Sequence, residues 1–434
     1  MNELATASSV SVIDTVIAAR GDAGACQKQL DIATLRADAC EPWLHAFTYR
    51  PTQQTVADAV VDSPLAGLPI GVKDLVATSD MPTTYGSPIY SGHQPANDAW
   101  ISAQIRRMGG TIFGKTVSTE FAWREPGPTV NPWNPLHTPG GSSSGSAAAV
   151  GAGIVPLAIG TQTVGSIIRP AAYCGVIGFK PSHGRIPTEG VHPLAPSLDH
   201  LGFFAKQVDL VALAYALIVE NKPEVIDDVA SWNAYFNPRK PTRLAVVRTP
   251  FWDRASDDQK ANFDQVLSAL GQHGVELVER EPYPAMPAMI DALMTILRVE
   301  AHEGIEPLVA QYPDQVSKHI RTLTAAGAET SRDSYLSALA LQRRLREQSA
   351  ELLGDCDAIV TLPATGEAPL GLLDTGDATF CAPWSFIGTP AITLPSGRAK
   401  TGLPLGFQLV GAFNDDVQVL RMAAWVEGRL GHFK

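Results

Sequence analysis

Three glycine-rich runs in this chain carry side chains that could do chemistry. Gly109-Gly-Thr-Ile-Phe-Gly114-Lys115-Thr116 fits the GxxxxGK[ST] pattern of a phosphate-binding loop. That loop works only where a strand ends in the glycines and a helix begins at the lysine, so that amides and the helix dipole face phosphate. Here the helical segment DAWISAQIRRMGG precedes the glycines and β-type residues fill the variable positions. The order is reversed, and nucleotide binding is not expected. Gly141-Ser142-Ser143-Ser144-Gly145 fits GxSxG, the nucleophile elbow, with Ser143 as nucleophile. An elbow needs an apolar strand directly before it, whereas NPWNPLHTPG stands there, and so many prolines exclude a central strand. The third run, Gly160-Thr-Gln-Thr-Val-Gly-Ser166-Ile-Ile-Arg-Pro-Ala-Ala172, follows the apolar VPLAI. The chain must turn at that strand end, and Pro170 is placed to open a helix. A serine at such a junction sees several unpaired backbone N–H groups, as an oxyanion hole requires.

The elements that must hold these runs alternate. SVIDTVIAARGDA and LDIATLRADA carry apolar residues three and four apart and predict helices in the first sixty positions. LPIGVKD and TIFGKT read as strands, Pro126–Pro139 as a loop with five prolines and two asparagines, and SAAAVGAG as a helix. VPLAIGTQT and VIGFKPS are further strands. Beyond about residue 209 helical segments alternate with RLAVVRT and VELVER, and a long Ala-rich helical region runs from Ala285 to Leu353. AIVTLPA, AITLPSG and LPLGFQLVG return to strand, and VQVLRMAAWVEGRL closes with a helix. Strands alternating with helices predict an α/β layer architecture. With no linker and no internal repeat, one core with a helical excursion is expected: a helical region over 1–60, a catalytic core over 61–210, the excursion over 211–353, and a return to the core over 354–434.

Composition narrows the classes. The 434 residues are 45% hydrophobic and 18% charged, a globular balance. A net charge of −11, with no Lys/Arg cluster, argues against nucleic acid as a partner. There is no basic segment leading into an apolar core, and no apolar run of the roughly 18 residues a membrane helix needs. A soluble, cytoplasmic protein is therefore the expectation. The five cysteines are scattered, none in a CxxC pair, and the ten histidines form no HExxH. No disulfide framework, metal site or cofactor is expected.

Taken together, the runs resemble the amidase signature family. Its Gly/Ser-rich stretch corresponds to Gly140-Gly141-Ser142-Ser143-Ser144-Gly145-Ser146-Ala147, and its second block to GTQTVGSIIRPA followed by YCGVIGFKPSHGRIP. Its upstream GVKD is Gly71-Val72-Lys73-Asp74, and weaker matches include SLDHLG at Ser197, APWSFIGTPAITLP at Ala382 and the final LGFQLVG. The blocks are long, ordered and correctly spaced over nearly the whole chain. The resemblance implies a single α/β/α domain around a large twisted mixed sheet. It also implies Ser166 as nucleophile, Ser142 as a relay held by a cis peptide, Lys73 as base, and the amides of Thr163, Val164, Gly165 and Ser166 as oxyanion hole. Physically, a serine hydroxyl needs a base within hydrogen-bond reach. Lysine serves only when neutral, and burial disfavours its charged form.

Several residues depart from the family pattern. Gln162 replaces the usual Asp of the second block, and Ile168 the usual Arg two places after the nucleophile. These read as one change, since loss of both members of an ion pair leaves no orphan charge. Val164 replaces a glycine and excludes an easy left-handed backbone there. Trp123, Ser143, Trp384 and Phe386 are the expected contacts of the substrate. The leading expectation is a stand-alone amidohydrolase cleaving a C–N bond of a small amide, carbamate or urea-like molecule. The alternatives are the glutaminase subunit of a tRNA-dependent amidotransferase and a non-catalytic binding protein on the same scaffold. Homo-oligomerisation is left open.

Overall fold

The strand at Leu157–Gln162 shows how the layers arise. All six of its residues are buried, yet alternate side chains enter different cores. Leu157 and Ile159 pack with the helices Val208–Ala214 and Asp416–Leu430, whereas Ala158 joins Phe204 and the helices Ser144–Gly151 and Ile168–Cys174. A strand covered on both faces reads as a continuous apolar run, which is how VPLAI appears in the sequence. The helix Ser144–Gly151 is made of Ser, Gly, Ala and Val because it lies flush against the chain. A Cβ on Gly145 would stand 2.2 Å from the Ala46 carbonyl oxygen.

The computed structural model describes residues 12–56 and 60–430. Its strands are β1 (Phe47–Tyr49), β2 (Pro69–Lys73), β3 (Thr111–Thr116), β4 (Leu157–Gln162), β5 (Ile177–Lys180), β6 (His200–Ala205), β7 (Arg243–Val247), β8 (Glu276–Arg280), β9 (Ala358–Thr361), β10 (Ala391–Arg398) and β11 (Pro404–Val410). They form one eleven-stranded sheet in the order β1-β3-β2-β4-β6-β5-β10-β11-β9-β7-β8. The sheet is mixed: β3-β2-β4 and β9-β7-β8 are parallel, and the pairs from β4 through β6, β5, β10 and β11 to β9 are antiparallel. A single α/β domain with a large mixed sheet is thus the observed architecture. The outer strand β8 carries exposed Glu276, Glu279 and Arg280, charges that discourage edge pairing. Among the described residues no helix is long and apolar enough to cross a membrane.

One reading of the sequence changes here. The section 211–353 is not wholly an excursion, because β7 and β8 lie within it and extend the main sheet through the parallel β7–β9 pair. RLAVVRT and VELVER are strands of that sheet, and the helical cover proper is Met286–Gln311, Lys318–Ala328, Arg332–Glu347 and Ser349–Leu353. The phosphate-loop match is strand β3 through Gly114 and Lys115, as the reversed order of elements predicts. Lys115 is buried and spends its ammonium on the Val76 carbonyl and the Thr83 hydroxyl.

The helical cover is stitched to the core by two buried carboxylates. Glu300 accepts from the amide of Ser197 (2.9 Å) and the hydroxyl of Tyr335 (2.8 Å). Glu120 accepts from the Ser87 hydroxyl (2.9 Å) and the amide of Ser317 (3.0 Å), the residue that caps the helix Lys318–Ala328. That helix crosses Met286–Gln311 at Gly327, where a Cβ would fall 2.1 Å from the Arg298 carbonyl oxygen. Gly327→Ala is therefore expected to destabilise the cover by about 1–3 kcal/mol, the usual cost of overpacking. A thermal melt with an unchanged midpoint would contradict this packing.

Candidate active site

Strand β2 ends at Lys73, and parallel pairing sets Val72 beside Ile159 of β4. Lys73 and Thr161 therefore leave the sheet at the same end. The Lys73 side chain is wholly buried, and its Nζ lies 2.7 Å from Ser142 Oγ and 2.7 Å from Thr161 Oγ1. Burial pushes its pKa well below the ordinary lysine value, and the charge of Asp199 pulls weakly the other way. A neutral amine has two hydrogens and one lone pair, which match one acceptor and one donor hydroxyl.

Ser142 follows a cis Gly141–Ser142 peptide. Its segment is held from three sides. The Ser142 carbonyl accepts the Thr119 amide (3.2 Å), and the Gly141 carbonyl accepts from Arg169 Nη2 (2.5 Å). Gly140, at φ 81°, approaches so closely that a Cβ would stand 2.8 Å from Pro170 Cα. The other serines of the run serve the scaffold. Ser143 Oγ donates to the Thr161 carbonyl (3.0 Å) and accepts the Thr161 amide (3.2 Å), and Ser146 Oγ donates to the Ile159 carbonyl (2.8 Å).

The turn after β4 carries Ser166. Gln162 organises it: its Oε1 accepts the amides of Ile167 (2.7 Å) and Ile168 (2.9 Å), and its Nε2 donates to Ser385 Oγ (2.9 Å). Ser385 in turn donates to the Val164 carbonyl (2.6 Å). The Thr163 hydroxyl donates to Asp199 (2.6 Å). Among the described residues, no carbonyl or side chain accepts the amides of Thr163, Val164, Gly165 or Ser166. The departures from the family pattern are absorbed locally. The neutral Gln162 satisfies the start of the next helix, and Ile168 is fully buried among apolar neighbours, so no charge is stranded. Val164 has no left-handed backbone to adopt, because the turn does not use one there. Gly165 is needed for closeness: a Cβ would meet that of Ala378 at 2.9 Å.

Ser142 and Ser166 open on one cavity of about 520 Å³. One wall is Ala122, Trp123 and Arg124 from the core, another is Ile290, Met294 and His319 from the helical cover, and the loop Leu373–Thr379 closes the third. Trp123 thus reaches the cavity. Three other expected contacts do not. Ser143 is fully buried with its hydroxyl committed to Thr161. Trp384 lines a different cavity beside Met286 and Met289, and Phe386 is buried in the apolar core. For the two aromatic residues the cause is one: of the helix Ala382–Ile387 only Ala382 lines the cavity, and its aromatic residues point elsewhere.

Sequence reasoning missed several groups at this site. Thr161 and Ser385 lay inside quoted motifs but had no distinguishing pattern. Arg169 carried a signal, an arginine one place later than the family's. It is 5% exposed and lines the cavity, its Nη2 donates to Gly141 and to Thr375 Oγ1 (3.2 Å), and its Nε is buried without a partner. No carboxylate stands within ion-pair distance of it among the described residues. Asp374 and Asp377 line the cavity, but they bond the Gly376 amide and the Arg254–Thr379 pair respectively. Among the described residues no group of three His, Cys, Asp or Glu could hold a metal ion.

Known proteins are similar to this chain over most of its length. A glutamyl-tRNA(Gln) amidotransferase component from Rhodopirellula baltica is 32% identical, with 90% of each chain covered. A crystal structure described as an amidase superposes with a TM-score of 0.82 at 28% identity, covering 94% of this chain and 96% of that one. The inhibitor-bound structure of a vestigial protein complex, tied to the origins of an s-triazine catabolic enzyme, does so at 0.82 and 26% with the same coverage. The amidase family model matches residues 43–420, most of the described chain. On the continuity of that match and on the sheet and turn geometry beneath it, the chain belongs to the amidase signature family.

Proposed function

We propose that this chain is a serine amidase that hydrolyses the C–N bond of a small amide carrying a carboxylate. The observation that carries the reading is a wholly buried Lys73, its pKa pushed well down by that burial, at 2.7 Å from Ser142 Oγ, with Ser142 and Ser166 open on one cavity. In the forward step Ser166 Oγ attacks the scissile carbonyl carbon. Its proton passes to Ser142 Oγ, which releases its own to Lys73 Nζ. The carbonyl oxygen takes the negative charge and is met by the free amides of Thr163 to Ser166, fixed dipoles that need no reorganisation. The carbon–nitrogen bond then breaks, the amine leaves with the proton held by Lys73, and an ester remains on Ser166. Water repeats the sequence on the ester and frees the acid. This is triad logic with lysine in place of histidine.

Arg169 supports the substrate class. A guanidinium nearly closed off from solvent, without a carboxylate partner, is costly unless an anion completes it. Its side chain, with Nε unpartnered, borders the same cavity as Ser166. A cavity of about 520 Å³ suits a small molecule. The second reading is a glutaminase subunit that passes ammonia to a partner, favoured by the name of the Rhodopirellula baltica relative. Turnover of carboxylate-bearing amides other than glutamine by the purified chain alone, with no partner subunit needed, is the expected result. Glutamine turnover only in a complex co-purified with amidotransferase subunits would establish the second reading instead.

Three measurements test the mechanism. Ser166→Ala is expected to abolish both turnover and fluorophosphonate labelling, while Ser143→Ala keeps the label and loses thermal stability. The opposite pattern would make Ser143 the nucleophile. Because the active lysine is the neutral form, kcat/KM should fall as pH drops through the depressed Lys73 pKa and hold at neutral to alkaline pH. Lys73→Ala should lose several orders of magnitude, and Lys73→Arg should not restore them, since guanidinium stays protonated. An acid limb unchanged in Lys73→Ala would assign the base elsewhere. Arg169→Met should shrink the preference for an anionic amide over its neutral isostere by about 10- to 100-fold, the worth of one charge-assisted hydrogen bond. An unchanged ratio would remove the carboxylate from the substrate.

A further inference from the structure

The SLDHLG segment belongs to no step above, yet its aspartate bonds the turn that carries Ser166 and acts by its charge on Lys73. Asp199 Oδ1 accepts the Thr163 hydroxyl at 2.6 Å, on the turn whose free amides face the cavity. Its Oδ2 accepts the amides of Leu194 (2.9 Å) and Ala195 (3.0 Å), so the carboxylate cannot swing away from that turn. The segment itself is anchored, because the Ser197 amide donates to Glu300 of the helical cover. Asp199 is also the charged group whose field reaches Lys73. The surface it keeps faces a second cavity of about 220 Å³, which it lines with Thr161, Thr163, His192 and His200.

We propose that Asp199 is the positioning residue of this site, holding the oxyanion turn through Thr163 while supplying the negative charge that receives the Lys73 ammonium formed during acylation. The proposal rests on the serine–lysine reading above. Few other charges act on this neighbourhood: Glu300 on Asp199 and Lys180 on His200. Burial pushes His192 down to about 4, so that imidazole is neutral at working pH, and burial also pushes His200 well below its ordinary value. Glu300 is the other acid that acts on Asp199, and it opposes ionisation. Burial raises Asp199 to about 6, leaving it ionised at neutral pH with its three hydrogen bonds favouring the charge. A carboxylate there favours the protonated lysine and makes the proton relay less uphill. Remove the charge and two things change: Thr163 loses its charged acceptor, and Lys73 becomes harder to protonate.

The test is the pH profile of kcat/KM for Asp199→Asn beside wild type, Lys73→Ala and Thr163→Val. Asp199→Asn should lower the plateau about 100-fold, the cost of a misplaced reacting group. Its acid limb should also move to lower pH, a shift that a merely structural defect would not produce. Thr163→Val keeps the charge and loses the bond, so its plateau should fall while its limb stays at the wild-type position. A plateau within twofold of wild type and an unmoved limb in Asp199→Asn would overturn the proposal. If Asp199→Asn does not fold, Thr163→Val decides: a wild-type plateau overturns the proposal and a lowered one supports it. Lys73→Ala keeps the two claims separate, because a limb that persists there defeats the lysine assignment while the Thr163→Val plateau still reports on Asp199.

Discussion

An amine buried at the end of two parallel strands is the constraint around which the rest of this molecule is arranged. A charged ammonium taken out of water costs several kcal/mol unless it is paired. At Lys73 the nearest partners are two hydroxyls and the one carboxylate that acts on it stands further off, so burial pushes its pKa well below the ordinary lysine value. That requirement explains why β2 and β4 are central strands covered on both faces. It also explains why Ser142 sits in a stretch of Gly, Ser and Ala with room for nothing larger. Any side chain that admitted water beside Lys73 would relieve the burial that lowers its pKa.

Around this point, polar groups are spent in pairs. Thr161 presents its hydroxyl to Lys73 and its backbone to Ser143, so one residue of β4 fixes two strands of the site. Gln162 closes the amides that open the next helix, Ser385 closes the Val164 carbonyl, and the amides between them are left without acceptors. The proposed oxyanion hole needs that asymmetry, a few N–H groups left free among occupied polar groups. The replacement of a family aspartate by Gln162 keeps it, since an amide oxygen accepts the same two bonds that a carboxylate would.

The helical cover turns a reaction centre into a selective cavity. Glu120 and Glu300 fasten it to the loops carrying Trp123 and Asp199, so the far wall and the catalytic floor share hydrogen bonds. Three non-glycine residues close together near that junction, Phe121, Ala122 and Arg124, take positive φ angles. Left-handed backbone of this kind is found where a binding wall is over-determined by its surroundings. In the proposed function, substrate choice therefore depends on the cover and the order of proton transfers on the sheet.

Much of this was legible in the chain itself. The strand–turn–helix at Ser166, the Gly/Ser run and GVKD are local patterns, and local patterns survive in sequence because backbone geometry demands particular residue types at particular steps. The reversed order of elements at Gly109–Thr116 was likewise enough to exclude a phosphate loop. What sequence could not supply was direction across the fold. Trp384 and Phe386 stand in a segment that does pass the site, but the rotation of one six-residue helix sends both away from it. RLAVVRT and VELVER carry strand character, yet their membership of the main sheet comes from pairing with β9, more than a hundred residues along the chain. Arg169 becomes informative only when its neighbours are known, since an unpaired guanidinium is defined by the carboxylates that fail to reach it. The sequence by itself determined the family and its scaffold, and pointed to the groups proposed to react. Only the tertiary structure decided which of them are buried, which are paired and which face the cavity, because burial and pairing are properties of residues brought together from distant parts of the chain.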